Sequence, residues 1–461
     1  MIKKTLFINR LKQLSPSQTL VFSYALAILT GAALLATPYA ANGDPLSFLD
    51  ALFTATSAQC VTGLIVVDTG TRLSLFGQGV VLLLIQIGGV GIMTFSVYLF
   101  IYLRVGVSVH GRWIIHETLM HSSVSSWKDL LRGIFFMTLI IEAAGALLLS
   151  FSFVPKLGFW PGLYSAIFHS VSAFCNAGFS LFPDSLVGFR NDPLVNSTVI
   201  LLIIAGGIGF LVIRELLQIG IDRLAKKKRR NKLSLHTKIV LITTLFLIIY
   251  GTVAIGLLER NNALAGMSMM EGVWTALFQS VTARTAGFNT IDLNLFTAPT
   301  LFLIIFLMFI GASPGSAGGG VKTTSLALFF AIFYSRLKGS RHTSIFRRTI
   351  PEELITKALA LVILAIILIA LALFGLLIVQ STDLDHENKR EFLSYLFETF
   401  SAFGTVGLSI GATAKLNIMG KWIIILLMFV GRVGLLTMAF ALAGRTRSHA
   451  AHYAEENIMI G

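Results

Sequence analysis

The chain has 461 residues, of which 55% are hydrophobic and only 13% charged, with a mean hydropathy of +0.82. A soluble domain carries roughly twice that charge, so water-soluble, disordered and fibrous classes are excluded, and two cysteines exclude a disulfide scaffold. Long apolar runs combined with a formal charge of +14 point to a polytopic membrane protein.

A helix needs about 20 apolar residues to cross roughly 30 Å of hydrocarbon. Eight segments meet that length: 19–40, 80–103, 133–154, 195–217, 239–258, 300–334, 354–380 and 422–443. Each must be helical, because unpaired backbone groups are not tolerated in lipid. The termini and even-numbered links (1–18, 102–132, 213–238, 335–357 and 443–461) hold 25 of the 36 basic residues against 8 acids, and the odd-numbered links hold 9 against 13. Basic residues mark the cytoplasmic side, so both termini are expected there. The run at 223–230, RLAKKKRR, reads as an anchor on anionic headgroups of the lipid bilayer, and no nucleic-acid partner is expected.

Each odd-numbered link holds a short apolar stretch, too short to span, followed by a glycine. The four read FLDALFTATSAQCVTGL (48–64), LYSAIFHSVSAFCNAGF (163–179), VWTALFQSVTARTAGF (273–288) and YLFETFSAFGTVGL (395–408). The glycines Gly63, Gly178, Gly287 and Gly407 lie 115, 109 and 120 residues apart. Phe53, Phe168 and Phe397 stand ten residues upstream of theirs, and Phe278 nine. Ala58, Ala173, Ala283 and Ala402 align between them. A glycine cluster recurs in each following apolar segment: Gly88-Gly89-Val90-Gly91, Gly206-Gly207-Ile208-Gly209, a run starting at Gly311, and Gly431-Arg432-Val433-Gly434.

This is a fourfold internal repeat of helix, short descending helix, glycine-ended loop and helix. The expected fold is an all-α integral membrane protein with eight spans. Its four tandem helix–pore-loop–helix repeats stand in pseudo-fourfold arrangement around one ion pore. The organisation is an N-terminal segment 1–18, repeats 19–104 and 132–218, a basic loop 219–236, repeats 237–335 and 354–445, and a C-terminal segment 446–461. A returning loop survives at membrane depth only if it lines water or is buried in protein. Glycine lets successive carbonyls turn toward one axis, where they can replace a cation's hydration shell. Short helices aiming their C-terminal ends at that axis favour a cation over an anion. Glycine used only for helix packing is the alternative, and four loops in register on one side argue against it.

The motifs resemble the four selectivity filters of the Trk/Ktr/HKT potassium transporter superfamily, and most of all the KtrB-type membrane subunits of bacterial Ktr potassium uptake systems. The resemblance runs the length of the chain, including LIQIGGVGIMTF (84–95), FETFSAFGTVGLS (397–409) and MFVGRVG (428–434). It implies filter residues at Val61, Thr62 and Gly63; Asn176, Ala177 and Gly178; Thr285, Ala286 and Gly287; and Thr405, Val406 and Gly407, with K+ held at them. Glycine in the first loop, where many sodium-selective plant relatives have serine, implies potassium selectivity. The resemblance also implies a homodimer in the bacterial cell membrane and a cytosolic KtrA-like regulatory ring that binds nucleotide. Na+ is a possible second ion, although no residue here derives it. No organic cofactor is expected.

The third repeat departs from Gly-Gly-x-Gly. It reads GASPGSAGGG from Gly311 to Gly320, then Val321-Lys322. Pro314 and the small residues disfavour a helix, so an unwound segment is expected. The resemblance makes it an intramembrane gate built of Ala312, Ser313, Gly315, Ser316, Gly318, Gly319 and Gly320; a passive kink is the alternative. Lys322 is expected to snorkel toward the cytoplasm. Arg432 occupies a glycine position at mid-membrane, where charge is costly, and should face the pore or a carbonyl near the gate. The family pattern following this arginine usually carries proline, where this chain has Leu435. Arg284 is expected to brace its loop through backbone or a carboxylate such as Glu398. Cys60 and Cys175 read as small residues behind the loops. A coupled symporter with carboxylate ligands would need mid-span acids, and only Glu142 qualifies. No Ser/His, Asp-pair or His-Glu-x-x-His arrangement lies at membrane depth, so an intramembrane enzyme is not expected.

Overall fold

The computed structural model describes residues 15–105, 127–225, 232–340, 342–380 and 391–443. The expected cytoplasmic segments 1–18 and 446–461 and the basic run at 223–230 lie wholly or mostly outside the described residues.

Each repeat opens with a long apolar helix: α1 Pro16–Leu35, α4 Trp127–Leu157, α8 Leu235–Leu258 and α12 Glu352–Gln380. All four are single helices long and apolar enough to cross a membrane, with mean hydropathies from 1.7 to 3.4. Two of them start with ordinary capping chemistry. Ser15 and Gln18 form a reciprocal capping box on α1, and the Ser234 hydroxyl accepts from the Thr237 amide on α8. The short helices that follow are α2 Phe48–Gln59, α5 Phe159–Phe174, α9 Met269–Thr282 and α13 Glu391–Gly404. At 12 to 16 residues they are too short to span. The aligned phenylalanines 53, 168, 278 and 397 and alanines 58, 173, 283 and 402 are all buried, and they anchor these helices in the core.

The closing helices differ from the sequence expectation. Only α3, Leu75–Val105, runs unbroken through its glycine cluster. The segments expected as single spans at 195–217 and 422–443 are each broken: α6 Pro193–Ile208 meets α7 Phe210–Leu224 at 104°, and α14 Ile418–Val433 meets α15 Leu435–Ala443 at 96°. The break residues Gly209 and Gly434 have φ of +91° and +90°, a region closed to a right-handed helix and open chiefly to glycine. In the third repeat α10 Ala298–Phe309 and α11 Thr323–Leu337 flank a non-helical stretch, 310–322, as expected from its composition. A short hairpin of two two-residue strands, β1 Ser344–Ile345 and β2 Arg348–Thr349, follows α11.

The helices pack in repeat order. Each short helix lies on the opening helix of its own repeat, and α14 returns to pack on α2, bringing the fourth repeat beside the first.

Candidate functional site

Each short helix ends in the same way. In three copies the amide of the residue before the loop glycine turns back to a carbonyl five residues earlier: Thr62 to Ser57 (2.8 Å), Ala177 to Ser172 (2.7 Å) and Val406 to Ser401 (2.9 Å). The preceding amides, of Val61, Asn176 and Thr405, bond the carbonyls of the aligned alanines at 3.0 to 3.2 Å. This pair of bonds is the Schellman termination, which needs a left-handed residue just past the helix. Here that residue is Val61, Asn176 or Thr405, with φ of 55°, 59° and 49°. The third copy, one residue shorter, places Thr285 at φ 71° and closes with Ala286 N to the Thr282 carbonyl at 3.0 Å. Three of the four are β-branched, for which a left-handed conformation is strained. Such strain clusters at active sites, ligand clamps and switch regions, and here it recurs at four equivalent positions.

Two residues later the glycines also take positive φ, from 70° to 91°. There they meet one another. A Cβ on Gly63 would overlap the Ala177 carbonyl, one on Gly178 the Ala286 carbonyl, one on Gly287 the Val406 carbonyl, and one on Gly407 the Thr62 carbonyl. The contacts run from first repeat to second, third, fourth and back to the first, a closed cycle of backbone. The C-terminal ends of four helices surround it, and their partial negative charge suits a cation.

A further set of residues was not singled out from the sequence. Ser57 and Ser401 accept from the Gly63 and Gly407 amides at 3.1 Å, while Ser172 and Thr282 donate to the Phe179 and Phe288 carbonyls at 2.8 and 2.6 Å. The signal was present: a hydroxyl residue immediately precedes the aligned alanine in all four copies. The glycine clusters pack against the same helix ends. A Cβ on Gly88, Gly206 or Gly431 would strike the carbonyl of Gln59, Phe174 or Phe403, equivalent residues of three repeats.

The stretch 310–322 lies against this cycle. Gly319 N donates to Thr405 Oγ1 at 3.0 Å, and a Cβ on Gly318 would strike Thr285 Oγ1. Thr285 Oγ1 is also 3.1 Å from the Asn176 side-chain amide. The broken α6–α7 elbow supplies the other edge. Ser313 N and Ala317 N donate to the Gly207 and Gly206 carbonyls, and Phe210 N, freed by the break, donates to the Gly315 carbonyl, all at 3.0 Å. Ser316 Oγ caps the Ser313 carbonyl at 2.5 Å. Ala312 and Gly320 pack on the facing turns, where a Cβ on Gly320 would meet Gly311 and Gly404.

Two cations, Arg432 and Lys322, hold this stretch. Arg432 donates through Nη1 to the Ala317 carbonyl and through Nη2 to the Gly88 carbonyl (2.5 Å), which also accepts from Tyr24 Oη (2.9 Å). Lys322 does not snorkel away: its ammonium folds back onto the Gly318 carbonyl at 2.7 Å. Arg284 and Glu398 do not pair. The Glu398 carboxylate accepts from Ser409, Thr413 and Ile410, and Arg284 Nε is buried without a partner among the described residues. Glu142 accepts from Gln86 Nε2 at 3.1 Å, with Cys175 Sγ 3.7 Å from its other oxygen. Cys60 and Cys175 are free and buried. Among the described residues no group of three His, Cys, Asp or Glu side chains converges as a metal site.

Comparison with known proteins shows the family and the fold. Residues 15–449 match the family model of TrkH, described as a cation transport protein. The chain is 40% identical over 449 residues to Ktr system potassium uptake protein B of Bacillus subtilis, covering 97% of each. It is 40% identical to the protein of that name in Vibrio alginolyticus, covering 96% of this chain and 94% of that one. It is 37% identical to the potassium/sodium uptake protein NtpJ of Enterococcus hirae, covering 98% of each. Its fold matches the crystal structure of the potassium transporter TrkH from Vibrio parahaemolyticus, with a TM-score of 0.73 at 19% identity over 92% of this chain and 83% of that one.

Proposed function

The chain belongs to the TrkH family of cation transport proteins, and from that premise we propose that it takes potassium into the cell through the cycle of its four loop glycines. It is a multi-pass membrane transporter, not an enzyme. The observation that carries the potassium reading is the closed contact of Gly63, Gly178, Gly287 and Gly407 with the carbonyls that precede them. Backbone so arranged offers carbonyl oxygens to a dehydrated cation, and the hydroxyls of Ser57, Ser172, Thr282 and Ser401 hold it in place. The four repeats are read as a pseudo-fourfold pore with eight spans, broken glycine helices included. A membrane potential supplies about 2.3 kcal/mol per charge per 100 mV to drive entry.

The stretch 310–322 is read as the gate. Its support is that it bonds the loop residue Thr405 at one edge and the α6–α7 elbow at the other. Arg432 and Lys322 neutralise its carbonyls and place positive charge in a cation's path. Two relatives are named as members of a Ktr system, which supports a regulatory partner; the proposal extends this to a cytosolic KtrA-like nucleotide-binding ring and a homodimer in the cell membrane with cytoplasmic termini. The name of the Enterococcus relative supports sodium as a second ion.

The test is rubidium uptake by the purified chain in liposomes held inside-negative, with excess potassium or sodium as competitor. Potassium is expected to compete well and sodium poorly. Equal competition would overturn the reading. Shortening the stretch between Ala312 and Gly320 is expected to raise uptake and weaken its control.

A further inference from the structure

The residue after each aligned phenylalanine is polar and fully buried: Thr54, His169, Gln279 and Glu398. These four positions are equivalent in the repeat, yet among the described residues only two bond the segment beyond the loop glycine. His169 Nε2 is 3.0 Å from Ser180 Oγ and 3.4 Å from Leu181 N. Its Nδ1 faces the Ser165 carbonyl at 2.7 Å. A carbonyl only accepts, so the proton is assigned to Nδ1 and Nε2 accepts from both Ser180 and Leu181. The ring is stacked on Phe182, with centroids 4.7 Å apart, and meets Phe153 edge-on at 5.6 Å, so it cannot turn away.

Glu398 repeats the arrangement with different chemistry. Its Oε1 accepts from Ser409 Oγ at 2.6 Å and from Ile410 N at 3.3 Å, and its Oε2 from Thr413 Oγ1 at 2.5 Å. Ser180 and Ser409 are the same position, two residues after Gly178 and Gly407, and each lies eleven residues past its partner. In the first repeat that position is Ile65, which cannot bond, and Thr54 Oγ1 has no partner among the described residues. In the third it is Asn289, and Gln279 likewise has none. The Asn289 amide instead donates to Ser185 Oγ, in the loop after Ser180, at 3.2 Å.

The cycle of glycine contacts sets the second and fourth repeats opposite each other. We propose that His169 and Glu398 are positioning residues for ion discrimination: two buried braces on opposite sides of the glycine cycle that fix the segments just beyond it, through Ser180 and Ser409. This rests on the filter reading above. A carbonyl ring that relaxes inward accommodates a smaller cation, so loosening either brace lowers preference for potassium without closing the path. Such residues act through others and touch no ion.

The experiment is calorimetric titration of the purified full chain with potassium and with sodium, a measurement that does not depend on the gate. The ratio of the two dissociation constants is the readout. Losing a buried hydrogen bond to the brace is worth about 1.4 kcal/mol, so Ser409→Ala and Ser180→Ala are each expected to lower the ratio about tenfold. Ser409→Thr keeps the hydroxyl and is expected to restore it, and Thr54→Val, which removes an unpartnered hydroxyl, to leave it unchanged. A selective wild type with an unchanged ratio in both alanine variants would overturn the braces and leave the filter reading standing. A wild type that does not prefer potassium would overturn the filter reading and the braces with it. A ratio that falls equally in Thr54→Val would show general loosening of the short helices and sink the assignment to two opposed braces.

Discussion

The amide of Gly319 donates to the Thr405 hydroxyl at 3.0 Å, so the stretch 310–322 is bonded to the residue that turns the fourth short helix into its glycine loop. Both groups are buried. On the gate reading this bond is made only when the gate is closed. Thr405→Val keeps the β-branched shape and removes the acceptor. An orphaned buried amide costs about 1–3 kcal/mol, so the closed state should weaken about tenfold or more. Rubidium uptake by the chain without a partner protein is expected to rise accordingly; uptake at the wild-type level would show that this bond does not hold the gate.

Arg432 makes the larger contribution to the same contact. Its fork joins the Ala317 carbonyl in the third repeat to the Gly88 carbonyl in the first, from a helix of the fourth. Arg432→Gln removes the charge and one arm of the fork; the Gly88 carbonyl keeps the Tyr24 hydroxyl, whereas losing the arm to Ala317 leaves a buried carbonyl unpaired at a cost of about 1–3 kcal/mol. Uptake without the partner is expected to rise by about tenfold or more. Arg432→Lys keeps the charge and loses the planar fork, and should fall between the two. If the glutamine variant transports no faster than wild type, Arg432 is a structural tie and not a barrier.

Much of this arrangement is legible in the chain. The loop glycines, their aligned phenylalanines and the glycine clusters stand out because the repeat places them in register. The unwinding of 310–322 follows from Pro314 and its small neighbours. The breaks at Gly209 and Gly434 were not legible, because an apolar run containing glycine has the same hydropathy whether its helix continues or turns. What decides them is distant: the freed Phe210 amide finds the Gly315 carbonyl 105 residues on. The direction of Lys322 was missed for the same reason, since a lysine near a span end snorkels unless a carbonyl closer at hand accepts it. The hydroxyls at 57, 172, 282 and 401 were visible in the alignment, and only the structure gives them partners.

Asp192 ties the outer end of the second repeat. It caps α6 through the amides of Leu194 and Val195, accepts from Ser152, and pairs with Lys156 at 2.9 Å. Burial alone would raise its pKa, but the Ser152 hydroxyl, the Lys156 ammonium and the Val195 amide outweigh it and hold the carboxyl below the usual range. A depressed folded-state pKa stabilises the fold above the unfolded value of about 3.9 and loses that stabilisation as pH falls through the folded one. Lys156 is half exposed, so the pair is screened and its share is modest. Melting of the detergent-solubilised chain is therefore expected to show wild type above Asp192→Asn near about pH 6, with the gap narrowing once pH falls below the unfolded value of about 3.9. A gap that stays constant with pH would mean that the carboxylate charge contributes nothing beyond shape.

Gly63 is the most direct test of the cycle. Its φ is +91°, and a Cβ there would overlap the Ala177 carbonyl of the next repeat. Backbone on both sides leaves no flexible side chain to give way. A left-handed L-residue costs about 1–2 kcal/mol before any overlap is counted. Gly79, in α3, has nothing within 4 Å of its hypothetical Cβ, and alanine in a helix interior is favoured over glycine by about 1 kcal/mol. Gly79→Ala is thus expected to transport like wild type and melt no lower. Gly63→Ala is expected to lose rubidium uptake and, in the same sample, the rise in melting temperature that potassium confers. Loss of uptake alone would follow from any misfolding, so the potassium-dependent shift is the deciding quantity. If Gly63→Ala folds, keeps that shift and still prefers potassium over sodium, the four glycines meet for packing alone and the ions pass elsewhere.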